Sequence, residues 1–344
     1  MDLDLKRLLS HYKREKKAQL FLCKPRGFCA GVERAIQIVV LSIKKYGKPV
    51  YVCHEIVHNR YVVKGLEEIG AIFVEKIEEI PPTRQPIIFS AHGVPRSVLQ
   101  FAQKRNLFFL DATCPLVSKV HKQAILHRKR GRHIFLIGHA GHPEVIGTMG
   151  QVPEGSVTLI QTLCDVDKLK KSHSMEFGYV TQTTLSIDDT DDIIKHLRKK
   201  IPHIVAPSVE SICYATTNRQ LAVKMAAPHT DLFLIVGAPN SSNSKRLVEV
   251  ATRYGAKYTA LIQSVEDIPW KVIQDIYSPS IGVSAGASAP EIIVFQVIEA
   301  FQSRFKLSII PSGTKEENEH FTVMKDLIDM PLEREDMAFF NGSM

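Results

Sequence analysis

CAGVERAIQIVVLSIKKYGKPVYV, residues 29–52, is the stretch on which the fold turns. A cysteine stands first. Val32, Ala35, Ile36, Val39, Val40 and Ile43 then fall at i, i+3, i+4, i+7, i+8 and i+11, an apolar helical stripe that Gly47 stops. A strand over 49–52 and the polar turn HEIVHN follow. The same order returns twice. Cys114 opens PLVSKVHKQAIL, with Pro115 suited to the first helical position, ahead of a strand over 133–137 and the turn GHAGHPE. Cys213 opens YATTNRQLAVKMA, ahead of a strand over 231–236 and the turn GAPNSSN. The turn residues keep step: His58 lies 29 residues after Cys29, His142 28 after Cys114, and Asn243 30 after Cys213.

Each unit continues alike, with AIFVEKIEEIP, VTLIQTLCDVDKL and YTALIQSVEDIPW. A β-rich run with a second polar turn closes it: IIFSAHGVP, FGYVTQTTLS and SIGVSAGASAP. These second turns place His92 63 residues after Cys29, Thr183 69 after Cys114, and Ser288 75 after Cys213. Helices alternating with short apolar strands predict α/β units with parallel sheets. Ligand-binding turns follow the carboxyl ends of such strands. The fold class is therefore α/β, with three pseudo-threefold-related domains around one centre. The divisions are 31–112, 113–210 and 211–305. A strand within 20–30 precedes Cys29 as another precedes Cys114, and is expected to join the third domain. Residues 1–19 form a basic extension. The tail 306–344 matches no unit and is expected to be partly irregular.

Composition narrows the function classes. The 344 residues are 44% hydrophobic and 23% charged, ordinary for a globular protein. No apolar run approaches the ~18–20 residues of a membrane helix, and charges throughout 1–19 exclude a secretory h-region there. A cytoplasmic protein with no membrane partner is expected. The net charge of +8 draws on the extension and on HRKRGRH, 127–133, without interleaved aromatics, so no nucleic-acid partner is expected. Six cysteines contain no CxxC pair, so a metal site must draw its ligands from distant segments.

A thiolate at a helix N-terminus is stabilised by the helix dipole and free N–H groups. One buried cysteine is ordinarily just a small apolar residue. Recurrence of Cys29, Cys114 and Cys213 in the same slot of three diverged units favours a metal role, either zinc or an iron–sulfur cluster. Three ligands leave a coordination position open for catalysis. His54, Glu55 and His58 match the HExxH pattern of zinc proteases. That pattern needs a helix, however, and here it follows a strand directly. His58, His92, His142, Ser241, Ser242, Asn243 and Ser288 supply donors suited to a phosphate or diphosphate. Ser242, Asn243 and Ser244 also look like a helix cap before KRLVEVATRYG. Glu144 can act as a proton donor if burial raises its pKa. Thr183 can pass a proton or hold water.

The motifs PRGFCAGVERA, HEIVHNRYVV, FSAHGVP, DATCPLVSKVH, IGHAGHPEVIGTMGQ, TQTTLS, ICYATTNRQ, NSSNSKRL and GVSAGASAP together resemble the 4-hydroxy-3-methylbut-2-enyl diphosphate reductases over about residues 20–300. The resemblance implies a trefoil around a [4Fe–4S] cluster held by Cys29, Cys114 and Cys213. It implies a diphosphate site at His58, His92, Ser241, Ser242, Asn243 and Ser288, with His142, Glu144 and Thr183 near the substrate hydroxyl. The implied reaction is a two-electron reductive dehydration giving isopentenyl and dimethylallyl diphosphate, in the methylerythritol phosphate route to isoprenoids. No GxGxxG fingerprint is present, and the resemblance implies an external ferredoxin or flavodoxin as electron donor; a monomer is expected. The alternatives are a three-cysteine iron–sulfur hydro-lyase, a zinc hydrolase using HEIVH, and a non-catalytic anion-binding module.

Overall fold

The computed structural model describes residues 16–169, 176–208, 211–313, 315–333 and 335–337. Most of the basic extension expected over 1–19, and the end of the tail, lie outside these residues. Apolar runs fold into short strands, all paired in parallel. The first sheet holds β2 (Val50–Cys53), β3 (Ala71–Val74), β4 (Ile87–Phe89) and β5 (Phe109–Asp111), in the order β3-β2-β4-β5. The second holds β6 (His133–Ile137), β7 (Val157–Ile160) and β8 (Phe177–Thr181), in the order β7-β6-β8. The third holds β1 (Lys17–Cys23), β9 (Leu232–Val236), β10 (Thr259–Ile262), β11 (Ser280–Ala285) and β12 (Lys306–Ser312), in the order β10-β9-β11-β1-β12.

One pattern underlies all three. The strand after each cysteine helix is flanked by the next two strands of its unit. A further strand then leads to the next cysteine. β5 runs beside β4 into Cys114, and β1 runs beside β11 into Cys29. In the second sheet this strand shrinks to a single bridge, Gly178 to Val205, ahead of Cys213. Each sheet therefore delivers a cysteine to its neighbour, and the circle closes through β1.

The helices complete the layers. The first unit has α1 (Ala30–Tyr46), α2 (Arg60–Ile69) and α3 (Arg96–Lys104). The second has α4 (Pro115–Lys129), α5 (Pro143–Met149), α6 (Leu163–Lys168) and α7 (Ile187–Lys200). The third has α8 (Tyr214–Ala226), α9 (Ser242–Arg253) and α10 (Glu291–Gln302), and a one-turn α11 (Lys325–Ile328) follows. Helices cover both sheet faces, which is why β8 and β9 are buried at every position rather than alternately. The first sheet packs Ile36, Val39 and Val52 on one side and Ile87, Phe89 and Ala102 on the other. The third packs Leu234, Val283 and Phe301 against one face and Phe233, Ile235 and Leu247 against the other.

The tail is partly irregular, as expected, but its start joins the third sheet. Residues 306–312 are not irregular: β12 pairs with β1 through seven residues, Lys17 opposite Lys306 to Cys23 opposite Ser312. β1 also begins inside the segment assigned to the extension. Beyond β12 the chain turns at Gly313, whose φ is +119° and where a side-chain Cβ would lie 1.9 Å from the Lys24 carbonyl oxygen. Only glycine fits that backbone. The chain then crosses to the first unit, where Leu327 and Met337 are buried against the α1 core. This strap runs from the third unit to the first.

Candidate active site and metal centre

Cys29, Cys114 and Cys213 are the residues that immediately precede α1, α4 and α8. Their thiols line one cavity of about 110 Å³. Cys213 Sγ accepts the Thr216 N–H at 3.4 Å, the first-turn contact expected of a capping sulfur. Gly31 makes room: a Cβ there would meet Cys114 Sγ at 2.6 Å and Cys29 Sγ at 3.9 Å. Burial, then the neighbouring Cys29, pushes the Cys114 thiol up to about 12 and the Cys213 thiol up to about 11. Without metal these thiols keep their protons, and a bound cation reverses that preference. Cys23 and Cys53 end β1 and β2 inside the core, and Cys164 is exposed.

The same cavity is lined by His58, His92, His142, Glu144, Thr183, Ser241, Ser242, Asn243 and Ser288. All twelve residues singled out from sequence thus meet at one place. Each polar turn follows the carboxyl end of a parallel strand and leads towards a helix start. Hence three separate sheets aim their turns at a common centre.

Glu144 is 2% exposed and sits in the first turn of α5. Its carboxyl accepts from Thr183 N at 2.7 Å and from Thr183 Oγ1 at 2.8 Å. Burial raises its pKa to about 7, against the opposing pull of those two bonds. His142 Nδ1 accepts the Glu144 N–H at 3.1 Å, so the neutral ring carries its proton on Nε2. Burial, followed by the nearby His58 and His139, lowers the His142 pKa to about 4.

A histidine cluster lies beside this carboxyl. His58 stacks on His92 with ring centres 4.1 Å apart, and His142 meets both edge-on at 5.6 and 5.9 Å. Burial and then His58 push the His92 pKa well below the usual histidine range. Glu55 Oε2 lies 3.2 Å from His58 Nδ1 and accepts from Asn240 Nδ2 at 2.8 Å. Glu55 thereby anchors the His58 ring through Nδ1. The HExxH match is not helical: His54 has φ 60°, and the turn lies between β2 and α2. Among the described residues, no three of His, Cys, Asp and Glu converge closely enough to share one metal ion.

His58 Nε2 and both amide atoms of Asn243 are buried without a hydrogen-bond partner among the described residues. Buried polar atoms in that state are costly unless a ligand completes them. Ser288 Oγ donates to the His58 carbonyl at 3.0 Å, and Ser242 Oγ to the Thr184 carbonyl at 3.2 Å. The cap of α9 is Ser241, whose Oγ accepts from Ser244 N at 3.3 Å; the cap expected within 242–244 lies one residue earlier. The reading from sequence also missed Phe321, which the strap brings to the cavity wall, and the orienting role of Glu55. The place of Glu55, three residues before His58, was the available signal for the latter. Phe321 carried none.

A family model described as LytB protein matches residues 20–302. A 4-hydroxy-3-methylbut-2-enyl diphosphate reductase of Rhizobium meliloti (strain 1021) is 62% identical over 323 residues, covering 93% of this chain and 92% of that protein. One of the same name from Brucella abortus (strain S19) is 62% identical over 326 residues, covering 94% of each. Among solved structures, the E-1-hydroxy-2-methyl-but-2-enyl-4-diphosphate reductase of Plasmodium falciparum superposes with a TM-score of 0.86 at 37% identity, over 91% of this chain and 98% of that one. The solved (E)-4-hydroxy-3-methyl-but-2-enyl diphosphate reductase, terminal enzyme of the non-mevalonate pathway, gives 0.60 at 30% identity, over 83% of this chain and 99% of that one.

Proposed function

Because the chain belongs to the LytB protein family, we propose that it reduces (E)-4-hydroxy-3-methylbut-2-enyl diphosphate, with loss of water, to isopentenyl and dimethylallyl diphosphate. The observation that carries this is the meeting of three helix-start thiols, a buried carboxyl and unpartnered anion-binding groups in one cavity. Cys29, Cys114 and Cys213 would hold a [4Fe–4S] cluster. Several features support that species over zinc. Among the described residues, three thiols line the cavity with no fourth, Gly31 leaves a cradle between two of them, and no trio suits a single ion. When bound, the cluster supplies electrons and an open iron that acts as a Lewis acid on the C4 hydroxyl.

The protein groups do the rest. His58, His92, Asn243, Ser241, Ser242 and Ser288 hold the diphosphate and so orient the allylic end. Glu144, its pKa raised by burial to about 7, holds a proton up to about that pH. With Glu144 protonated, the 2.8 Å contact reverses: the carboxyl O–H donates to Thr183 Oγ1, and the threonine hydroxyl gives its own proton to the substrate hydroxyl, which leaves as water. His142, neutral with Nε2–H, donates to the same end. The apolar neighbours Val57, Leu116, Val117 and Phe321 limit water. Electrons arrive from an external ferredoxin or flavodoxin. The protein works as a monomer in the cytoplasm; its six unpaired cysteines accord with that compartment.

Anaerobic turnover with and without a reductant is the test. The reductase reading expects both products only with reductant. Formation of a dehydrated product without electrons would replace it with a hydro-lyase.

A further inference from the structure

Arg219 lies on α8, and its side chain is 0% exposed. Its Nε and Nη2 donate to the Gly27 carbonyl at 3.2 and 2.8 Å, and Nη2 to the Phe28 carbonyl at 3.3 Å. Those are the two peptides before Cys29. Nη1 binds the Ala215 carbonyl at 2.9 Å and Glu317 at 3.0 and 3.1 Å. Arg34, on α1, repeats the arrangement one unit on. Its Nη1 donates to the carbonyls of Ala112 and Thr113, at 3.3 and 3.2 Å, the two peptides before Cys114. Its Nε donates to the Thr322 carbonyl at 3.0 Å. The third joint is neutral. Gln123, on α4, exchanges two bonds with Ser208, upstream of Cys213, at 2.6 and 3.4 Å.

We propose that Arg34 and Arg219 are positioning residues: each reaches from one cysteine helix to the peptides that carry the next cysteine, and together they pin the 317–322 strap across the cavity. This rests on the cluster reading above. A guanidinium suits the task because its rigid fork serves several carbonyls at once and stays charged when buried. Glu317 supplies the counter-charge that a fully buried arginine requires. The strap is held near both its ends, at Glu317 and Thr322, and Phe321 between them lines the cavity. The two joints that carry charge are also the two that hold the strap. Spacing of the thiols and cover of the cavity are therefore set by the same side chains.

The test compares reconstituted wild type with Arg219→Lys, Arg34→Met and Glu317→Gln, with Arg198→Met as a control away from the cavity. Folding is checked by circular dichroism, and the loss of iron–sulfur absorbance to a chelator is followed without oxygen. Arg219→Lys and Arg34→Met are expected to lose the cluster about tenfold faster than wild type and to show an altered paramagnetic signature. Glu317→Gln is expected to raise KM several-fold with little change in kcat. Loss rates and spectra of the folded Arg34→Met and Arg219→Lys proteins matching those of wild type would overturn the proposal. If Arg219→Lys does not fold, Arg34→Met, which is not fully buried, decides alone. Failure of wild type itself to take up iron would sink the cluster reading instead.

Discussion

The two walls of the cavity are built in opposite ways. On one, Glu144 is fully engaged: both carboxyl oxygens are taken by Thr183, and the neighbouring N–H is taken by His142. On the other, His58 Nε2 and the whole Asn243 amide are buried with no partner among the described residues. A satisfied buried network is rigid before substrate arrives. Unsatisfied buried polar atoms carry a cost that a ligand can relieve. On the proposed function the first wall supplies the proton and the second is completed by the diphosphate. Proton delivery and anion binding are thus assigned to different residues of one cavity, so they should separate in kinetics.

The largest effect belongs to neither wall. Cys114→Ser is expected to lose iron retention and bring turnover to background, measured by iron and sulfide content beside anaerobic assay; a variant with full activity would favour the non-catalytic module. Glu144→Gln tests the first wall. It removes the proton while preserving shape, so kcat should fall about 10²–10⁴-fold with the cluster kept. Near-normal turnover would refute the proton route. Asn243→Ala tests the second wall. Loss of its contacts should raise KM about tenfold to a hundredfold while kcat changes little; a fall in kcat alone would contradict the division.

The smallest effect is graded with pH. Glu144 has its pKa raised to about 7 by burial. Turnover should decline as pH rises through about 7, and the Gln variant should lack that limb. The stability sign follows from the same shift. Between about 4.5 and 7 the unfolded chain has released this proton while the folded one retains it. The protonated carboxyl's contribution is therefore full below about 4.5 and lost as pH rises to 7. Thermal melts of the metal-free wild type and Glu144→Gln, compared across that range, check it.

The sequence was most legible where the repeat was strictest. Cysteine slots, first strands and polar turns recur at nearly equal offsets because parallel α/β units put ligand-binding turns at strand ends. Three sheets sharing a centre repeat that geometry. The resemblance drawn from those motifs is borne out by the family match and the solved structures. Legibility failed where the chain leaves the repeat. β12 has no counterpart in the other units, and its pairing with β1 spans nearly the whole chain. The strap, Phe321 and the Arg219–Glu317 pair are joined by long-range contacts that no local pattern marks. Glu55 was masked by its place in a zinc-protease pattern, although its structural partner is His58. The Ser241 cap was missed by one residue because Ser241, Ser242, Asn243 and Ser244 are all competent caps.

The central claim is that Cys29, Cys114 and Cys213 would hold an iron–sulfur cluster in the cavity that also takes the diphosphate. Its most direct test is anaerobic titration of the reconstituted protein with the diphosphate substrate, followed in the iron–sulfur spectrum beside iron and sulfide counts. The account predicts iron and sulfide near four each per chain and a spectrum that shifts to saturation as substrate binds. A zinc-only protein, or a cluster spectrum indifferent to the substrate, would contradict it.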